Sequence, residues 1–152
     1  MRKGSTLSDM PVIFVISGPN LNLLGTREPE IYGHDTLEDI HQRLSAQAAE
    51  LGVRVDCRQT NHEGVIIDWL HEAHFAGAKA VLLNGGGYTH TSVAIHDAIK
   101  SIKVPVMEVH LSDPMKRESF RHTSYIGMAA AQHFAGHGAN SYTLALDAAV
   151  RL

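Results

Sequence analysis

Cysteine is nearly absent from this sequence: Cys57 is the one thiol in 152 residues, which excludes an intrachain disulfide framework and any cysteine-rich zinc site. No run of about eighteen apolar residues is present, so no membrane-spanning helix is expected. Lys and Arg number 13 against 16 Asp and Glu, a formal net charge of -3. The basic residues form no cluster able to track a phosphate backbone, which argues against nucleic acid as a partner. Internal repeats, linkers and low-complexity segments are missing too. Met1 to Met10 carries Arg2 and Lys3 but not the apolar middle of a secretory signal. Residues 1–11 therefore read as a flexible tail and residues 12–152 as a single domain. With no export signal and a lone thiol, a reducing cytoplasm is the expected compartment.

What is present suits one globular domain: 44% hydrophobic and 19% charged residues are enough to bury a core. The unusual figure is eleven histidines. Apolar runs of strand length alternate with segments of helical period, the pattern of a parallel sheet covered by helices. Val12 to Ile16 reads as a central strand buried on both faces and stopped by Gly18-Pro19. A helix starts at Thr36, with Asp39 completing a capping box and Leu37, Ile40, Leu44, Ala48 and Leu51 forming its apolar stripe up to Gly52. Val53, Val55 and Cys57 alternate with Arg54, Asp56 and Arg58, as in a half-buried strand near a sheet edge.

A second helix is expected through Ile66, Trp69, Leu70 and Ala73, ending near Gly77. Ala80 to Leu83 makes a third strand, closed by Asn84. Thr91-Ser92 caps a third helix through Ile95, Ala98, Ile99 and Ile102. Val104 to His110 is the fourth strand, His133 to Ala135 the fifth, and Ser141 to Leu152 the closing helix. The expected fold is α/β: a flavodoxin-like, three-layer arrangement of a five-stranded parallel sheet, order 2-1-3-4-5. Right-handed crossovers leave few alternatives. Ligands should then bind beyond the carboxyl ends of the first and third strands, near Asn20 and Asn84.

Glu108 and His110 are two apart and share a strand face at that end. They are either a solvated strand end or a general acid or base held by a carboxylate. The connection from Gly18 to Asp35 far exceeds the roughly 2 to 6 residues usual there and reads as a lid. It carries Arg27 and Tyr32. A guanidinium beside a phenol favours the phenolate, although Tyr32 could equally pack while Arg27 pairs with Glu28 or Glu30. Arg117 and Arg121 form an anion clamp or pair with Glu118 and Asp113. Gly85-Gly86-Gly87 follows a strand but fits no nucleotide fingerprint. Asp68, His71 and His74 recur at helical spacing on a Trp-bearing amphipathic helix and lack a fourth ligand, so no metal site is assigned to them.

Gly18-Pro19-Asn20-Leu21-Asn22-Leu23-Leu24-Gly25, Arg27-Glu28-Pro29, Tyr32-Gly33, Asn84, Thr89-His90-Thr91-Ser92, Asp97, Glu108-Val109-His110-Leu111-Ser112 and Arg117 through Arg121 occur in that order. Together they strongly resemble type II 3-dehydroquinate dehydratase, from about Val12 to Leu152. The resemblance implies reversible anti elimination of water from 3-dehydroquinate to 3-dehydroshikimate, with no cofactor, metal, nicotinamide or Schiff-base lysine. It implies Tyr32 as general base, with Arg27 lowering its proton affinity, and Asn20 as holder of a water that steadies the enolate. His110 becomes the general acid, oriented by Glu108. Asn84, His90, Leu111, Ser112 and Arg121 become substrate-binding residues. Asp97 would reach a neighbouring subunit's site in a homododecamer, a tetramer of trimers.

Three departures from the family pattern stand out. His96 replaces a usual Arg before Asp97, which bears on subunit contact. Gly85 to Gly87 replace a Pro- and Ala-containing stretch, giving an expectation of a looser loop. Asp113 stands where Asn is common, adding charge beside a carboxylate site. Such drift suits the alternative of a noncatalytic small-molecule-binding module, whereas retention of Arg27, Tyr32, Glu108 and His110 favours the enzyme. The remaining histidines, His34, His41, His62, His71, His74, His122, His133 and His137, are expected to be surface or packing residues.

Overall fold

The computed structural model describes residues 9–26 and 28–152 and, at Tyr32, the backbone alone. The expected N-terminal tail thus lies mostly outside the described residues, although its last residue, Pro11, accepts a backbone hydrogen bond from Arg54 at 3.0 Å. The described strands are β1 (Val12–Ser17), β2 (Arg54–Gln59), β3 (Ala80–Asn84), β4 (Val106–Val109) and β5 (Gln132–Phe134). The described α-helices are α1 (Pro29–Tyr32), α2 (Leu37–Leu51), α3 (Glu63–Phe75), α4 (Val93–Ser101) and α5 (Asn140–Val150). All strand pairs are parallel, in the order β2-β1-β3-β4-β5, as the alternating pattern predicts.

Alternation along the strands sorts side chains into two cores. Ile13, Val15, Ala80, Leu82, Met107 and Val109 pack under α2 and α5. Val12, Phe14, Ile16, Val81, Leu83 and Val106 pack under α3 and α4. Both faces being covered, β1, β3 and β4 are buried throughout, whereas edge strand β2 is half-buried at every residue. Thr36 caps α2 reciprocally with Asp39: each backbone N–H donates to the other's side chain, at 3.0 and 3.1 Å. Leu51, expected in the apolar stripe, is instead exposed. It is the last residue of α2, next to Gly52, whose left-handed backbone ends the helix and leads the chain into β2. The fourth strand is shorter than expected at its start because Pro105 has no N–H to give to a ladder. His110 lies just past the strand, yet its N–H still donates to Phe134 O at 2.9 Å.

Candidate active site

The carboxyl ends of β1, β3 and β4 open on a cavity of about 140 Å³. Asn20, Asn84, His90, His110, Leu111, Ser112 and Arg121 all line it, together with Pro19, Gly86, Gly87 and Arg117. Sheet topology is what gathers them from across the chain. Glu108 follows Val106 on the α3 and α4 face and reaches the strand end from beneath His110. Asp97 does not line this cavity; it is exposed on α4.

The β1 and β3 side is built tightly. Gly18 N–H donates to Asn84 O at 2.8 Å, and a Cβ on Gly18 would lie 2.8 Å from Gly85 O. A Cβ on Gly85 would lie 2.3 Å from Ile126 Cδ1, and Ile126 is fully buried. A side chain at Gly85 would therefore have to displace the tip of Ile126, and Gly86–His90 forms a 3₁₀ turn. Asn20 has φ 71, a left-handed conformation that Asn tolerates better than most side chains. Asn84 is fixed from two directions, its Oδ1 accepting from Gly86 N–H at 3.2 Å and its Nδ2 donating to Tyr142 Oη at 3.1 Å.

On the β4 side, Glu108 is the electrostatic centre. Its side chain is 7% exposed. Oε2 accepts from His110 Nε2 at 2.9 Å and from Ser124 Oγ, and Oε1 accepts from His133 Nδ1 at 2.7 Å. Burial alone would raise the carboxyl pKa, but the His110 hydrogen bond and charge, with the Ser124 and His133 donors, outweigh it and hold the group down at about 2. Glu108 is therefore ionised at neutral pH. His90 stacks on His110, ring centroids 6.4 Å apart, and donates through Nδ1 to Thr123 O at 2.8 Å. Burial holds the His90 imidazole below the ordinary histidine range.

Arg121 Nε and Arg117 Nε both approach Glu118 Oε1, at 2.8 and 3.8 Å, while Arg117 Nη1 donates to Ser112 Oγ at 3.2 Å. Both readings of the arginine pair thus apply in part: the guanidiniums share Glu118, and both line the cavity. Asp113 faces away from this role. Its Oδ1 caps a short turn through Met115 N–H at 3.0 Å, and it lines an adjoining cavity instead. His96 is turned inward, donating through Nδ1 to Tyr125 O at 2.7 Å.

The segment expected to act as a lid connects β1 to α2. Leu21 and Leu24 are buried in the core, which anchors its first half. Arg27 lies outside the described residues, as does the Tyr32 side chain. Ile31 and Gly33, which flank Tyr32, line the adjoining cavity, which shares Leu111, Ser112 and Arg117 with the first.

Two contributors escaped the sequence reading. Ser124 carries no motif of its own. His133, expected to be a surface or packing residue, is at the surface, with its side chain 56% exposed, and also donates to Glu108. Its signal was register: Glu108 and His133 are directly opposite on neighbouring strands, which becomes readable only once strand order is known. Among the described residues, no group of three or more His, Cys, Asp or Glu is arranged to hold a metal ion.

Fold and cavity together define an α/β enzyme with a carboxylate–imidazole pair beside a cavity at the switch point of a flavodoxin-like sheet. Comparison with known proteins narrows this. The family described as dehydroquinase class II matches residues 11–150. The 3-dehydroquinate dehydratases of Hyphomonas neptunium and Caulobacter vibrioides are each 56% identical over 140 residues; the match covers 92% of this chain and 93% and 95% of theirs. The crystal structure of type II dehydroquinase from Butyrivibrio crossotus superposes with a TM-score of 0.90 at 40% identity, covering 92% of this chain and 97% of that one. The chain belongs to the type II dehydroquinase family.

Proposed function

We propose that the protein catalyses the reversible anti dehydration of 3-dehydroquinate to 3-dehydroshikimate through an enolate, as a hydro-lyase of the shikimate pathway. The observation that carries this reading at the site is the ionised Glu108 held against His110 at the mouth of a cavity shared with Asn20, Asn84, His90, Ser112 and Arg121. An elimination through an enolate needs a base on one ring face, an acid at the leaving hydroxyl and fixed donors for the developing oxyanion.

His110 is the acid. With Nε2 engaged by Glu108, its Nδ1 carries the proton for the departing hydroxyl. The Glu108 carboxylate sets the ring orientation through that hydrogen bond. Tyr32 is the base that removes the proton next to the ketone, and Arg27 favours its phenolate. Placement of Ile31 and Gly33 on the adjoining cavity supports an approach from that side. Asn20 holds the water that steadies the enolate. Arg121, Ser112 and the Leu111 backbone receive the carboxylate, while Asn84 and His90 receive ring hydroxyls.

Asp97 serves a neighbouring subunit in a homododecamer, a tetramer of trimers; its exposed place on α4, off its own cavity, supports this. The compartment is the cytoplasm, and residues 12–152 act as one catalytic domain behind a tail. No described helix is long and apolar enough to cross a membrane.

The test mixes purified protein with 3-dehydroquinate and follows the ultraviolet absorbance of the conjugated product. Saturable binding without product would replace this reading with that of a noncatalytic module. Sedimentation as a monomer would remove the intersubunit role of Asp97.

A further inference from the structure

His133 stands in the acid–base centre without a role in the mechanism above. It lies on edge strand β5, opposite Glu108 in parallel register, and opposed residues on adjacent strands project from the same sheet face. Strand pairing therefore delivers its imidazole to the carboxylate, with Nδ1 2.7 Å from Oε1. The donors divide cleanly. His110 and Ser124 both engage Oε2, so His133 is the only donor to Oε1 among the described residues. Gly127 closes one side of that oxygen: a Cβ there would come within 2.9 Å of it. The two imidazoles differ in setting, the His110 side chain being 11% exposed and that of His133 56%.

We propose that His133 is a positioning residue for the dehydration: by clamping Glu108 Oε1 it fixes the carboxylate's rotation, so that Oε2 stays aimed at His110. This rests on the proposed function. A carboxylate held on one oxygen alone can swing about its Cγ–Cδ bond, and a swing of the Glu108 group takes the acceptor away from the proton donor it orients. An imidazole donating through Nδ1–H supplies that second hold on the carboxylate. Beyond His110 and His133, the titratable groups bearing on this centre are His90, stacked on His110, and Arg121, whose charge reaches His90.

Three variants, assayed for kcat and KM across pH with thermal melting alongside, decide the matter. His133→Val should lower kcat on the order of tenfold, the scale of one hydrogen bond to a charged group, while KM stays within about twofold of wild type. His133→Asn, whose side-chain amide can donate in place of Nδ1, should recover most of that loss. His133→Lys places a fixed cation on the carboxylate and should move the alkaline limb of kcat to lower pH, because His110 then loses its proton more easily. If His133→Val does not fold, the Asn and Lys variants decide by whether their alkaline limbs separate. Wild-type kcat in the Val variant, a loss carried by KM, an Asn variant no better than Val, or coincident alkaline limbs would each overturn the clamp. Failure of the wild-type protein to turn over 3-dehydroquinate would sink the proposed function and this role with it, whereas normal wild-type turnover with insensitive variants sinks the clamp alone.

Discussion

Two buried polar centres sit at the carboxyl ends of the sheet, on opposite faces, and they solve the same problem differently. On the α5 face, Tyr142 is fully buried and its hydroxyl joins Ser17 Oγ at 2.8 Å and Asn84 Nδ2 at 3.1 Å. Burial pushes its phenol up to about 12, overcoming both hydrogen bonds, so the group stays neutral. On the α3 and α4 face, Glu108 is nearly as buried, yet three donors keep it ionised. A buried polar group must be partnered in either case. What differs is whether the partners can themselves carry a proton. Ser17 and Asn84 cannot at neutral pH, and their centre holds the β1 and β3 ends together. His110 and His133 can, and their centre borders the cavity.

Damage on the Glu108 side should appear chiefly in turnover, and damage on the Tyr142 side chiefly in stability, with a smaller effect on KM through Asn84, which lines the cavity. His110→Asn should lower kcat by roughly 10²- to 10⁴-fold, the usual worth of a general acid, with little change in melting temperature. Steady-state kinetics showing a change in KM alone would break the division. Tyr142→Phe should destabilise the fold by about 1–3 kcal/mol, because Ser17 and Asn84 lose a shared partner in a sealed site. Denaturant unfolding measures this, and an unchanged midpoint would mean that the network is dispensable.

The two centres should also separate by pH. Glu108 titrates lower in the folded protein than the ordinary 4.5, so its stabilisation is present above about 4.5 and lost as pH falls towards 2. Tyr142 titrates higher than the ordinary 10, so its stabilisation is present below about 10 and lost as pH rises towards 12. Glu108→Gln should therefore flatten the acid limb of a stability profile and leave the alkaline limb alone. The smallest effect is expected at Asp113. As a turn cap outside the first cavity, it should allow Asp113→Asn to leave KM unchanged or slightly lower; a clear rise would show that its charge assists binding.

Legibility in the sequence followed the range of the interactions. The capping box at Thr36 and Asp39, the fully apolar β1 and β3, and the shared face of Glu108 and His110 are set by neighbours a few residues apart, and local spacing exposes them. Pairings across strands are not local. The Ser17–Tyr142 hydrogen bond spans 125 residues and Glu108–His133 spans 25. The contact that a Cβ on Gly85 would make with Ile126, far along the sequence, is equally invisible to local spacing.

Histidine, the most conspicuous excess in the composition, shows where the division falls. Spacing was enough to single out His110 beside Glu108, and the run of motifs was enough to bring in His90, because each depends on residue type and separation along one chain. No count or period could tell His133 from the other surface candidates. Its position beside the carboxylate comes from β5 pairing in parallel with β4, and a register is settled only when both strands are packed against a common core. The amino-acid order by itself determined the alternating α/β pattern, the family and the residues proposed to bear the chemistry. The tertiary structure alone decided which polar groups meet, because hydrogen bonds act over about 3 Å and only folding brings distant segments that close.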